Sequence, residues 1–199
     1  MTRNSIIAVL FVALVAPAAG CRDRKADLST VKGAFAAFVS IADRGAYNEL
    51  YPILVKDVQA KIATTHDNVH KAVALIAQHY PPALRQQALA DLGPDEVRNA
   101  ADPAAHYGAL VKGAGHVAMS VEQKMSSRLK RVDERPEGSG HFVVTTVSGA
   151  SLEFTRGGDG LFYWVPDPKD VKEIHRQYLL SIERLAAVND AVKTFAGAH

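Results

Sequence analysis

Apolar residues in the first half of the chain recur at three- and four-residue spacing, which is typical of helices that bury one face. A first helix is predicted from six such positions: Leu28, Val31, Phe35, Phe38, Val39 and Ala42. Asp27 is placed to cap its start and Gly45 to end it. A second periodic segment begins at Ala46, is interrupted by Pro52 and then continues to Tyr80. It must end before Pro81, because the residue before a proline is pushed out of the helical region. Shorter helical segments follow as far as Gly113.

From about residue 126 the periodicity changes to the alternation typical of short strands. Four segments carry it: SSRLKRVDER, HFVVTTVS, SLEFTR and LFYWV. Their connections, including PEGSG and GGDG, are too short for parallel crossovers, so the strands are predicted to form antiparallel hairpins. HFVVTTV and LFYWV are apolar on both faces. This favours a sheet covered by helices on one side and curled over its own contents on the other.

Asp167 and Pro168 predict the start of a final helix of about 28 residues, which would be roughly 42 Å long. Its apolar residues lie in a near-heptad register: Val171, Ile174, Tyr178, Leu185, Val188, Val192 and Phe195. This stripe is either part of the core or a surface on which a partner docks. The predicted fold class is therefore α+β, with a helical N-terminal half packed on a curved antiparallel sheet and a long C-terminal helix.

A leader precedes these elements. Residues 1–5 carry one positive charge, Arg3, and are followed by an unbroken apolar run from Ile6 to Val15 and then by small residues. This order is typical of a signal peptide. The run of about 10 residues would span about 15 Å as a helix, half of the roughly 30 Å hydrocarbon core, so it does not predict a transmembrane helix.

Ala18, Ala19 and Gly20, followed by Cys21, resemble the lipobox of bacterial lipoproteins, where cleavage occurs before a lipid-carrying cysteine. The resemblance implies lipidation of Cys21, the only cysteine in the chain, and a membrane attachment that three acyl chains make effectively permanent. Arg22, in place of Asp, implies export to the outer membrane, on its periplasmic side. The alternative is plain secretion, with cleavage at small residues and an incidental cysteine near the new N-terminus.

The composition is that of an ordinary globular domain, with 48% hydrophobic and 22% charged residues among 199. We expect a signal peptide over 1–20, a lipidated tether over 21–27 and a single α+β domain over 28–199. One cysteine excludes an intramolecular disulfide framework and a cysteine-cluster zinc site. The 23 basic residues nearly balance the 21 acidic ones, which argues against a nucleic-acid partner.

Two segments are similar to proteins of the nuclear transport factor two-like superfamily. AFAAFVSIADRGAYNELYPIL resembles their opening helices, which join at an acidic-x-Gly-x-aromatic turn. HFVVTTVSGASLEFTRGGDGLFYWV resembles their final hairpins, in which a Gly-Asp-Gly turn leads into a tryptophan strand. The resemblance implies a strongly curved sheet that closes around helices and leaves a conical pocket. The helical insert from Pro52 to Gly113 goes beyond the minimal pattern, and we expect it to fill part of the cone or to cover it.

Phe154, Phe162 and Trp164 are the candidate ligand-binding residues, because aromatic side chains commonly line pockets for small apolar ligands. The alternative is that they are core residues. Enzymes of the resembled superfamily place an Asp or His base in the cone, which makes Asp43 or His141 the candidates here. Neither stands in a recognisable catalytic motif.

The segment HDNVH places His66 and His70 one helical turn apart beside Asp67, a geometry that can hold zinc or copper. No third ligand is identifiable, so we expect a surface or boundary role for both histidines, with no metal and no cofactor. The predicted function is a non-enzymatic binding or interaction module at the cell envelope, with a small apolar ligand or a protein partner. The alternatives are a pocket enzyme of isomerase or hydrolase type and a protein that docks to a partner through its last helix.

Overall fold

The computed structural model of the protein describes residues 27–115 and 127–196. Its helices are α1 (Val31–Arg44), a 3₁₀ helix (Tyr47–Ile53), α2 (Lys56–His79), α3 (Pro82–Ala90), α4 (Asp95–Arg98), α5 (Pro103–Gly113) and α6 (Pro168–Ala196). Its strands are β1 (Leu129–Glu134), β2 (His141–Thr146), β3 (Ser151–Arg156) and β4 (Phe162–Val165). The predicted α+β class is confirmed, with its helical first half, antiparallel sheet and long C-terminal helix. The predicted signal peptide and Cys21 lie outside the described residues.

The two ends of α1 show where local sequence signals succeed and fail. Gly45 ends the helix as predicted, with a φ of 65° that glycine adopts without strain, and its N–H donates to Ala42 O. The predicted cap, Asp27, is wrong. Thr30 caps the helix, since its Oγ1 accepts a hydrogen bond from the Gly33 N–H at 3.0 Å. Leu28 lies before the helix because its carbonyl accepts a hydrogen bond from the N–H of Phe162 in β4.

The four strands form an antiparallel meander in the order β1-β2-β3-β4. Phe142, Phe154 and Trp164 are cross-strand partners in one row, so they share a face of the sheet. This face packs on α1, where the Phe35 and Phe154 rings meet edge to face at 6.5 Å. Glu153 points to the opposite face and is exposed. A closed cone remains a prediction from the resemblance.

A bulge shifts the register of β1 between Leu129 and Arg131, where it pairs with β2. Bulges of this kind bend a strand and increase its local twist. The residues that follow the shift pair regularly, up to Glu134 opposite Phe142. The irregularity is therefore confined to the first residues of β1.

The helical half is joined to the sheet at the edge of β4. Leu54 forms a parallel bridge with Trp164, and the Val55 N–H donates to Trp164 O at 3.0 Å. The chain enters α2 directly after Val55 and enters α6 three residues after Val165. The two long helices therefore run in the same direction.

Side-chain contacts confirm this parallel pairing of α2 and α6. The Asn68 amide donates to Ser181 Oγ at 3.1 Å, and further along both helices the Tyr80 and Phe195 rings lie 5.0 Å apart. The apolar stripe of the last helix thus faces α2, which agrees with its interpretation as core and counts against docking through it. None of the helices in the described ranges is long and apolar enough to cross a bilayer.

Two groups of buried side chains form the core. The first lies between the sheet, α1, the 3₁₀ helix and α5, and its least exposed members are Leu54, Val144 and Phe154. The second lies where α2, α3 and the last half of α6 meet, around Ile76 and Val188. Because α2 contributes to both groups, it links the sheet-covering part of the protein to the helical part.

Replacing Ile76 by Ala tests the helical part of the core. Ile76 is 0% exposed, so we expect Ile76→Ala to lower the free energy of unfolding by about 2–5 kcal/mol, measured by urea denaturation. Ile182 on α6 is 41% exposed and is the matched control, for which we expect a loss of less than about 1 kcal/mol. Equal losses at the two positions would contradict the described packing of α2 against α6.

Candidate functional site

A groove of about 1140 Å³ lies between one end of the sheet, α5 and the start of α6. Its floor is formed by buried apolar and aromatic side chains that come from five separate elements. They are Tyr47, Leu50, Val97, Tyr107, Trp164 and Ile174. A volume of this size is sufficient for a drug-sized molecule, since ligand pockets commonly measure about 300–1,000 Å³.

Trp164 is the predicted ligand-binding residue that does line the groove. Its ring centroid lies 4.6 Å from that of Phe38 on α1, and its carbonyl is held by the Val55 N–H. The hydrogen bond holds the Trp164 backbone in place, and the contact with Phe38 restricts the orientation of the ring. A rigid aromatic wall of this kind costs little conformational entropy when a ligand binds.

The other two predicted aromatic residues do not line the groove. Phe154 is fully buried against Phe35, so its alternative interpretation as a core residue is the one the structure supports. Phe162 packs edge to face on Phe142 at 5.3 Å, and the guanidinium of Arg156 lies over its ring. Of the three candidates, only Trp164 can touch a molecule held in the groove.

A close helix contact places Tyr107, which the sequence analysis did not single out. Gly108 lies against the 3₁₀ helix, where a Cβ atom would come within 3.0 Å of Asn48 N. The absence of a side chain lets α5 approach the 3₁₀ helix and brings Tyr107 to the groove floor. Burial raises the pKa of the Tyr107 hydroxyl, and the negative charge of Asp170 raises it further.

The two candidate bases lie outside the groove. Asp43 lines a separate depression of about 460 Å³ between α1 and the start of β1. His141 stands at the first residue of β2, with its Nε2 atom 3.3 Å from Glu153 Oε2. Neither residue lines the groove itself, although His141 contacts Glu153, which does. The two candidates also lie at opposite ends of β2: the depression of Asp43 is beside Leu129, whose partner Thr146 is roughly 17 Å along β2 from His141.

The pair His66 and His70 belongs to a cluster beneath α5. His66 is 8% exposed, so the expected surface or boundary role is wrong for it, whereas His70 is exposed. The Nε2 atoms of both rings lie within hydrogen-bond distance of Ala100 O, at 3.1 and 2.8 Å. A nitrogen that donates to a carbonyl is not available to a metal. Within the described ranges no group of three or more His, Cys, Asp or Glu has a metal-binding arrangement.

His106 of α5 completes this cluster, and its ring meets that of His66 edge to face at 5.8 Å. His106 is 1% exposed, its Nδ1 lies 3.2 Å from Val97 O, and its Nε2 has no hydrogen-bond partner among the residues described. Burial, followed by the charge of neighbouring His66, lowers the pKa of His106 to about 4. The folded protein therefore holds His106 neutral.

Comparison with known proteins returns no relative of the chain. No protein-family model, no curated protein and no solved structure matches it. The resemblances stated above for the leader and for the two segments thus rest on their own residues.

The pKa of His106 predicts acid-sensitive stability. An unfolded histidine has a pKa near 6.5, so the unfolded state binds more protons than the folded state between about pH 6.5 and 4. The free energy of unfolding should therefore fall as the pH falls through this window, by on the order of 3 kcal/mol. We expect His106→Gln to remove this part of the slope in urea denaturation measured from pH 7 to 4.

The exposed His79 at the end of α2 gives the matched variant, His79→Gln, which should keep the slope of the unchanged protein. The same slope in His106→Gln as in His79→Gln would show that His106 is not the group responsible.

Proposed function

We propose that this protein is a lipid-anchored protein of the bacterial cell envelope that binds a small, largely apolar molecule in its groove. The observation that carries the binding part is the aromatic floor, in which Tyr107 and Trp164 lie beside Leu50 and Ile174 at the base of a concavity of about 1140 Å³. Surfaces of this kind gain roughly 25 cal/mol for each Å² of apolar area removed from water. The proposal assigns the groove no chemistry, since Asp43 and His141 both lie outside it.

The anchor part of the proposal rests on the sequence Ala-Ala-Gly before Cys21. Seven residues, 21–27, separate the lipid from the domain and reach at most about 25 Å when extended. The groove would then stay close to the membrane surface, on the periplasmic side of the outer membrane. Apolar molecules concentrate at such a surface, so a protein held there meets them more often than a freely diffusing one does.

Binding to the groove can be measured with the neutral fluorophore N-phenyl-1-naphthylamine. Trp164 is the only tryptophan of the chain and lines the groove, so a bound probe should quench its emission. We expect Ala109→Phe, which adds a ring to the groove wall on α5, to weaken this binding by about tenfold or more. The full chain with Cys21→Ser is the background for all variants, because it removes the predicted lipid acceptor.

Ala186→Phe provides the matched control, since Ala186 is exposed on α6 and does not line the groove. It should bind the probe as well as the background does. Absence of Trp164 quenching in the background, or equal affinities in the two phenylalanine variants, would refute the proposed binding site.

The predicted anchor is tested separately by Cys21→Ser in cells. Without the sulfur, no acyl chain can be attached, so we expect the protein to appear in a soluble or an uncleaved form after membrane fractionation. Metabolic labelling with a fatty acid should mark the unchanged chain and leave the variant unlabelled. A Cys21→Ser protein that is cleaved and equally membrane-bound would refute the lipoprotein assignment.

A further inference from the structure

The wall of the groove carries an excess of negative charge. Five carboxylates line it, and they come from α4, from β3 and from the start of α6: Glu96, Glu153, Asp167, Asp170 and Glu173. Lys112 is the single basic residue among the lining residues described. Three of them lie close together in the chain, from Asp167 to Glu173, and the other two come from separate elements of the groove wall.

Neighbouring charges offset only part of this excess. His141 lies 3.3 Å from Glu153, and Arg176 lies 2.5 Å from Glu173. Asp167 accepts a hydrogen bond from the Lys169 N–H at the start of α6. In the part of the chain that the structure describes, Glu96 and Asp170 form no ion pair.

The helix dipoles do not change this balance. The start of α6 brings a partial positive charge of about one half to the groove, and the end of α5 brings a similar negative one. Because both ends line the same concavity, the two contributions roughly cancel. The groove wall stays net negative even when His141 is counted as protonated.

The floor suits a cation as well as an apolar body. Cations are attracted to the faces of Trp and Tyr rings, and Tyr47, Tyr107 and Trp164 all line the groove. Asp170 lies close enough to Tyr107 for its charge to act on the phenol hydroxyl. An ammonium group beside the Tyr107 hydroxyl would therefore lie next to an aromatic residue and within the field of a carboxylate.

We propose that the groove selects amphiphilic organic cations: molecules with an apolar body of about ten carbons or more and a quaternary or protonated ammonium group. This inference rests on the proposed binding function and specifies its ligand class. The apolar body lies on the aromatic floor, while the ammonium group faces Asp170 and Glu96. An anion of the same length meets the same floor but is repelled by the wall.

A series of matched ligands tests the charge preference. Decyltrimethylammonium, decanol and decanoate share a ten-carbon chain and differ in charge, and each is titrated below its micelle concentration to displace N-phenyl-1-naphthylamine. An exposed carboxylate changes the affinity for a nearby charge by about two- to fivefold, so two of them predict a cation bound about tenfold more tightly than the alcohol. Decanoate should bind more weakly than both. Raising the salt concentration should reduce the preference for the cation.

The double variant Asp170→Asn/Glu96→Gln should reduce the ratio of cation affinity to alcohol affinity by about tenfold. Glu183→Gln, an exposed position of α6 away from the groove, is the control and should leave this ratio unchanged. Equal displacement by all three ligands, or an unchanged ratio in the double variant, overturns the cation preference and leaves the apolar groove standing. Failure of the neutral probe to bind at all overturns the proposed function and this inference with it.

Discussion

The parallel bridge between Leu54 and Trp164 is the contact on which the arrangement of the two halves depends. It is a short contact, reinforced by the hydrogen bond from the Val55 N–H to Trp164 O. Its direction matters more than its strength. Because the two segments run the same way at the bridge and each enters a long helix within a few residues, α2 and α6 leave the sheet side by side and parallel. The second group of core residues forms because the two helices begin side by side and stay in contact.

The same residue, Trp164, also lines the floor of the groove. Its backbone belongs to the sheet edge, its ring packs on Phe38 of α1, and the chain after it turns into α6, whose first residues carry the acidic side of the groove. Concave sites often occur where elements of different origin meet, because no single element fills the space between them. Here the sheet end, α5 and α6 meet, and the side chains of the described residues leave a space of about 1140 Å³ between them.

Local signals predicted the elements well and the site poorly. Gly45, Pro81 and Pro168 mark helix ends or starts correctly, because a positive φ and the geometry of proline act within one or two residues. Asp27 failed as a cap because Leu28 hydrogen-bonds to β4, a contact that no local pattern encodes. Trp164 was predicted because aromatic residues commonly line pockets, but the same reasoning selected Phe154 and Phe162, which do not line the groove.

The rest of the site depends on long-range placement. Tyr107 reaches the floor through the contact of Gly108 with Asn48, some sixty residues earlier in the chain. Glu96 and Asp170 are more than seventy residues apart in the chain, yet both line the groove. His106 joins His66 and His70 through the packing of α5 on α2. Periodicity describes which face of an element is apolar, but it carries no information about which faces come together.

The bulge at the start of β1 affects how readily two copies of the protein can pair through the edges of their sheets. Where the outer strand of a sheet is straight, its unpaired amide and carbonyl groups can form hydrogen bonds with a strand of another molecule. The register shift between Leu129 and Arg131 bends β1, and Lys130 and Arg131 place positive charges there. At the opposite edge, the Leu54 segment already occupies the hydrogen-bonding groups beside Trp164. The described sheet therefore has one edge that is covered and one that is bent and charged, and both features hinder edge-to-edge pairing between copies of the protein.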